Sequence, residues 1–354
     1  MKLKRSQLIV LGVLGVLTVL VYGCLVSLVV RNSRQISQEL APEAATLPPS
    51  VAQAEEEATV SPTATASPTP TPTPIPAAPQ TRYDLQVARD QGNPTLRLQR
   101  GYAYIDLGAY TYAIEDFDTA ISLEGTLAEA YLGRGEARFH LKEWSVALED
   151  FEQALALNPD LADAHAWRGY LLSEQGKPGL ALEALRQAVA LDEADPVKHI
   201  RLAHALLRSG SPGEAKIEYT TVLSSEVRSV EAHVGRAMAL AEQGDFDAAL
   251  ADLSSAQAFA PYDPVALNGQ AWFYAWYRRS HLDEAQQLAQ RAVAGAEDDL
   301  ERARYLHTLG WVYYRQERYE EAVATLEEAA ALATVEGQVV YGEILEHLEE
   351  ARAE

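Results

Sequence analysis

"AYLGRGEARFHLKEWSVALEDFEQALALNP", residues 130 to 159, decides how the chain folds. Within it stand Gly135, Ala147, Phe151 and Ala154, and their spacing returns every 34 residues. Gly101, Gly135 and Gly169, preceded by Arg100, Arg134 and Arg168, continue the period into Ala203 and Ala237. Twelve residues after each comes an alanine: Ala113, Ala147, Ala181, Ala215 and Ala249. Seven further on stands Ala120, Ala154, Ala188, Val222 or Ala256, with Phe117, Phe151, Leu185, Tyr219 or Leu253 between. Small residues at the three positions let two antiparallel helices approach to about 8–10 Å, and the bulky one fills the gap beside them. Each unit therefore reads as a helical hairpin, and the fold class as all-α.

Working outward, units begin at 94, 128, 162, 196 and 230 without insertion. A sixth spans 264–302 with Ala285 two residues late, and a seventh spans 303–336 with Gly310, Ala322, Leu326 and Ala329. Gly108, Gly176, Gly210 and Gly244 recur where the first helix of a unit must end in a left-handed cap. The second and seventh units carry Lys142 and Glu317 there, and the sixth a displaced "RRSH". Residues 81–93 read as a short N-terminal capping helix and 337–354 as an amphipathic helix, the solubilising cap that a solenoid requires.

The spacing and residue types resemble the tetratricopeptide repeat (TPR), with its Gly/Ala, Ala, large apolar, Ala and closing proline, here Pro159. The resemblance implies a right-handed superhelix with a concave groove that binds a protein or peptide partner. It also implies that the groove is lined by the second, fifth, ninth, twelfth and thirteenth positions of each first helix. Carried onto this sequence, those positions present Asp106, Glu129, Glu136, Asp163 and Glu174, with Glu231 and Glu242 in the fifth unit, an acidic half. The sixth and seventh units present Asn268, Trp272, Trp276, Arg304, His307, Trp311, Tyr314 and Arg315. Trp and Arg dominate binding hot spots, so this end is expected to grip an apolar or anionic group; alternatively, the aromatics only fill space between hairpins. The lysine and asparagine clamp with which some relatives hold chaperone C-termini has no match among these positions.

Other chemistry is not indicated. "GRGEAR" lacks the third glycine of a dinucleotide loop, and "SEQGKPG" has proline where a phosphate loop needs Ser or Thr. No HExxH occurs, and "GDFDAAL" lacks a calcium loop's glycine and final glutamate. No catalytic, cofactor or metal site is therefore assigned. His165, His199 and His233 recur at 34-residue spacing, but adjacent hairpins lie about 10 Å apart, too far for a shared zinc with nitrogens at about 2.0–2.1 Å. They occupy the slot where the family has Trp or Tyr, as Tyr131 does.

The chain carries 29 Lys and Arg against 51 Asp and Glu, a net charge of −22. All of that imbalance falls after residue 80, which argues against nucleic acid, a ligand that needs a basic surface. One cysteine allows neither an internal disulfide nor a cysteine-based metal site.

Residues 1–7 precede an unbroken apolar run, Leu8 to Val30, long enough at about 1.5 Å per residue to span a bilayer. Lys2, Lys4 and Arg5 before it, against Arg31 and Arg34 after, favour a cytoplasmic N-terminus with the repeats outside the cell membrane. "VYGC" resembles a lipobox, which makes lipidation of Cys24 the alternative, but "LVSLVV" continues the apolar run beyond the cysteine. Residues 31–80, with "SPTATASPTPTPTPIPAAP", read as a disordered, extended stalk. The expected role is a membrane-anchored interaction scaffold. Its rivals are a lipoprotein assembly factor for a pilus, secretion or envelope complex, and a non-catalytic recruiting subunit of a membrane enzyme.

Overall fold

The computed structural model describes residues 80–278, 281–333 and 339–353. The apolar run Leu8 to Val30, Cys24 and the stalk up to residue 79 lie outside them. Among the described residues there is no strand, and no helix is long and apolar enough to cross a membrane.

After a short α1 (Asp84–Arg89), seven hairpins follow. Their first helices are α2 (Pro94–Asp106), α4 (Ala128–His140), α6 (Ala162–Glu174), α8 (Pro196–Arg208), α10 (Val230–Glu242), α12 (Pro264–Tyr277) and α14 (Asp299–Arg315). Their second helices are α3 (Tyr110–Leu123), α5 (Trp144–Leu157), α7 (Pro178–Leu191), α9 (Pro212–Ser225), α11 (Phe246–Phe259), α13 (Leu282–Ala294) and α15 (Tyr319–Leu332). A last helix, α16 (Val339–Ala353), closes the array.

The periodic residues form the core. Ala113, Phe117 and Ala120 have no exposed surface, nor have Ala147, Phe151 and Ala154. The first helices end in a left-handed residue at Gly108, Gly176, Gly210 and Gly244, and Lys142 and Glu317 adopt the same conformation (φ 65° and 63°) without being glycine. In every case the next residue's N–H donates to the carbonyl five positions back, as in Glu143 to Arg138 (2.9 Å) and Arg318 to Tyr313 (3.0 Å). That bond satisfies carbonyls the helix end would leave bare, so the packed hairpin imposes the turn even where the side chain opposes it.

One boundary moves. The seventh unit was placed at Ala303, but α14 begins at Asp299. The Asp298 side chain accepts from the Glu301 N–H (2.8 Å), and Asp299 and Glu301 sit in the first turn, where the helix dipole favours negative charge. The extra tail of the sixth unit is thereby drawn into α14.

Two polar ladders tie the hairpins. Arg100, Arg134 and Arg236 each grip an aspartate 16 residues on, in the second helix: Asp116 (2.6 Å), Asp150 (2.6 Å) and Asp252 (2.7 Å), all nearly buried. The histidines form the other ladder. His165, His199 and His233 each place Nε2 within 3.0 Å of the carbonyl six residues back, on Pro159, Glu193 and Val227. The Tyr131 hydroxyl donates to the same place, the Gly125 carbonyl. These histidines are fold ties in an aromatic slot, each reaching back to the loop that ends the preceding unit.

Each first helix touches the first helix of the next hairpin, whereas the second helices meet first helices and, at the end, α16, with no comparable contact to one another. The array therefore bends toward its first helices. It bends far enough for α16 to touch α6, in the third unit.

Candidate functional site

On the inner face, spacings of three and four residues line up Trp272 with Trp276 on α12, and His307 with Trp311 and Tyr314 on α14. The rings form one cluster. Trp272 stacks on Trp276 (5.6 Å between centroids), Trp276 lies 5.1 Å from Trp311, and Trp311 stacks on Tyr314 at 4.7 Å. Trp311 is buried, while Trp272 and Trp276 keep exposed surface. The space-filling account thus describes Trp311 better than the other two.

Two polar atoms here are buried without a hydrogen-bond partner, Trp311 Nε1 and Asn268 Oδ1. The sequence did not assign His347 of α16 to this cluster, yet its ring stacks on Trp311 at 4.1 Å, and its Nδ1 is 2.6 Å from His307 Nε2. Burial pushes the His307 imidazole down to about 3, and the neighbouring His347 adds to the shift. At neutral pH the pair is held uncharged.

In sequence, Glu174 and Arg304 lie four units apart. The bend brings them together: Glu174 on α6, 2 % exposed, meets Arg208 at 2.8 Å and Arg304 of the seventh unit at 3.6 Å. Glu174 Oε2 remains buried without a partner. Asp163 is likewise paired, because the buried Lys198 ammonium meets Asp163 (2.7 Å), Asp192 (3.1 Å) and Asp195. Arg201 lies over Trp167 at 4.1 Å. The fourth unit, which contributed nothing to the acidic list, thus supplies the counter-charges. Arg208 occupies a thirteenth position and was legible; Lys198 and Arg201 occupy third and sixth positions outside the list.

Between α2, α4, α6 and α8 these residues leave a cavity of about 370 Å³ whose lining includes Tyr102, Glu136, Asp163, Trp167, Lys198 and Arg201. Burial pushes the Glu136 carboxyl up to about 7, with Asp163 and Asp106 adding to the shift and Arg201 opposing it. Among the described residues Glu136 has no ion pair within 4.0 Å, in contrast to Asp163 and Glu174. Asp106, Glu129, Glu231 and Glu242 are outside the lining; burial raises the last two carboxyls. The Glu129 carbonyl accepts from the Tyr102 hydroxyl (3.1 Å), and Arg315 ends α14. Among the described residues no cluster of His, Cys, Asp or Glu has a metal-binding arrangement.

Models of the tetratricopeptide repeat match residues 94–126, 162–195, 200–264 and 274–334, and one described as TPR repeat matches 135–176. Together they cover more than half of the chain. The chain belongs to the tetratricopeptide repeat family. TPR folds are typically non-catalytic and bind protein or peptide partners. No curated protein matches the sequence. A TPR protein from Parabacteroides merdae ATCC 43184 superposes with a TM-score of 0.59 at 17% identity, over 74% of this chain and 99% of that one. PilW, a widely conserved type IV pilus biogenesis factor, gives 0.51 at 18% identity over 59% and 96%. The Cut9–Hcn1 hetero-tetramer of APC/C gives 0.51 at 18% over 77% and 55%. At these identities the likeness is one of TPR fold.

Proposed function

We propose that the protein is a TPR scaffold that captures a protein segment along a concave groove formed by its first helices. Leu8 to Val30 anchors it in the cell membrane, and residues 31–80 hold the repeats off the outer surface as a stalk. The observation that carries this reading is the cavity beside Glu136. Its carboxyl is partly buried, lacks an ion pair and stands among Tyr102 and Trp167 rings, an arrangement that suits a lysine or arginine side chain or a chain amine. The aromatic end, with exposed faces of Trp272 and Trp276, takes an apolar group of the same segment. An envelope assembly factor with lipid on Cys24 would use the same groove and differ in its anchor. Lipid labelling lost in Cys24→Ala would establish that variant.

The test is capture by the full-length chain from a detergent-solubilised membrane and envelope extract. A specific partner should be retained by the native chain, and its capture reduced by Glu136→Gln and by Trp272→Ala with helicity unchanged. Equal capture by all three chains would exclude the groove.

Titration supplies a second expected result. A free Glu136 near pKa 7 is largely protonated below neutrality, and a bound cation favours the carboxylate. Binding of a lysine-containing partner peptide must then release a proton below pH 7. Affinity should fall by up to about tenfold per pH unit below 7 and level off above it. Calorimetry in buffers of different ionisation enthalpy reads this directly, and Glu136→Gln should remove the dependence.

A further inference from the structure

Helix α16 carries two stripes. Ile344, Leu348 and Ala351, spaced i, i+4, i+7, are buried, and α16 packs against α15. That stripe suffices for a terminal cap. Glu343, His347 and Glu350 repeat the spacing on a second face, which a mere cap would give to water. Here its middle residue, His347, is drawn into the groove, while Glu343 and Glu350 keep exposed surface. His347 stacks on Trp311 and hydrogen-bonds His307, Glu350 accepts from the Tyr314 hydroxyl (3.0 Å), and Glu343 feels the charges of Arg208 and Arg304. The helix thus covers the aromatic end and adds negative charge beside its arginines.

Resting on the groove reading above, we propose that α16 is a built-in competitor, and that the partner segment which displaces it is an acidic helix bearing a histidine or aromatic side chain. With α16 away, Arg208 and Arg304 keep Glu174 as their ion-pair partner and lose the negative charge of Glu343, while the Trp276 and Trp311 rings lose the His347 ring. The incoming segment replaces both, with a carboxylate for the arginines and a flat ring for the indoles. The buried, partnerless Trp311 Nε1 adds a donor for which α16 supplies no acceptor. A displacing segment that reaches it gains a bond α16 does not make.

A labelled peptide of residues 337–354 serves as the probe, offered in trans to the full-length chain. If α16 is seated about nine-tenths of the time or more, the native chain binds the peptide about tenfold or more weakly than its competent state. The substitution pair Glu343→Ala and His347→Ala, which leaves the buried stripe intact, should restore that factor, with helicity unchanged. A peptide carrying His347→Ala should lose affinity for the doubly substituted chain. On the native chain, saturating peptide should speed hydrogen exchange across residues 342–353. Equal peptide affinity for native and substituted chains, or unchanged exchange at saturation, overturns the proposal. So does a native dimer exchanging α16 between copies, seen by light scattering. The groove reading fails separately, on capture that ignores Glu136→Gln and Trp272→Ala while the peptide still discriminates.

Discussion

Asp150→Ala is expected to destabilise the second hairpin by about 3–5 kcal/mol, the range found when one partner of a buried ion pair is removed. Asp150 is 3 % exposed and accepts from two guanidinium groups, Arg134 at 2.6 Å and Arg138 at 2.6 Å. Both arginines are themselves mostly covered, at 16 % and 22 % side-chain exposure, so removal of the carboxylate strands two charges where water reaches them poorly. Asp118 supplies the control. It binds the same Arg134 at the same 2.6 Å but is 51 % exposed, and Asp118→Ala should cost no more than about 1 kcal/mol. Because each hairpin contacts only its near neighbours over most of the array, the loss should appear first as faster hydrogen exchange in α4 and α5. Comparable exchange in the two variants would show that burial, and not bond length, has been misjudged here.

Gly235→Ala is expected to cost about 1–3 kcal/mol by overpacking, although the residue lies in mid-helix, where alanine is otherwise the better former. A Cβ at Gly235 would stand 2.3 Å from Tyr219 Cζ and 2.6 Å from its hydroxyl. Tyr219 has no exposed surface and belongs to the preceding hairpin, so the clash falls on the joint between the fourth and fifth units. Its ring has nowhere to retreat. The same spacing of 16 residues separates Leu185 from Arg201, where a leucine leaves room for a long side chain. Tyr219→Leu should therefore rescue Gly235→Ala, helped by removal of a hydroxyl that is buried without a partner. Urea denaturation of the two single variants and the double variant forms the cycle; purely additive losses would refute the clash.

The hairpins were legible because their requirements are local. Gly135 must be small and Phe151 large within one pair of helices, and a 34-residue period repeats that demand. Lys142 and Glu317 show the limit of reading turns by residue type, since the bond to the carbonyl five back is imposed by packing on a non-glycine residue. The start of α14 was also written in the sequence, as Asp298 three residues before Glu301, a capping signal that the strict period obscured.

The site was legible by position and not by partnership. Trp272, Trp276 and Trp311 could be placed on one face from the groove positions that the family resemblance implies. That Glu174 meets Arg304 could not, because the contact depends on small rotations summed over several hairpins, and no local pattern encodes a sum. Lys198 and Arg201 escaped because third and sixth positions ordinarily serve packing, and His347 because the cap was read through its apolar stripe only.

The Glu174–Arg304 pair also has a mechanical meaning. It lies at the end of a lever arm running from the third hairpin to the seventh, so every joint between them contributes its angle to that one separation. A change too small to register at any single joint, such as the shift that Gly235→Ala forces, is multiplied along the arm into ångströms at the pair. The two side chains act as the pointer of a gauge, and their separation reports the curvature of the whole intervening stretch.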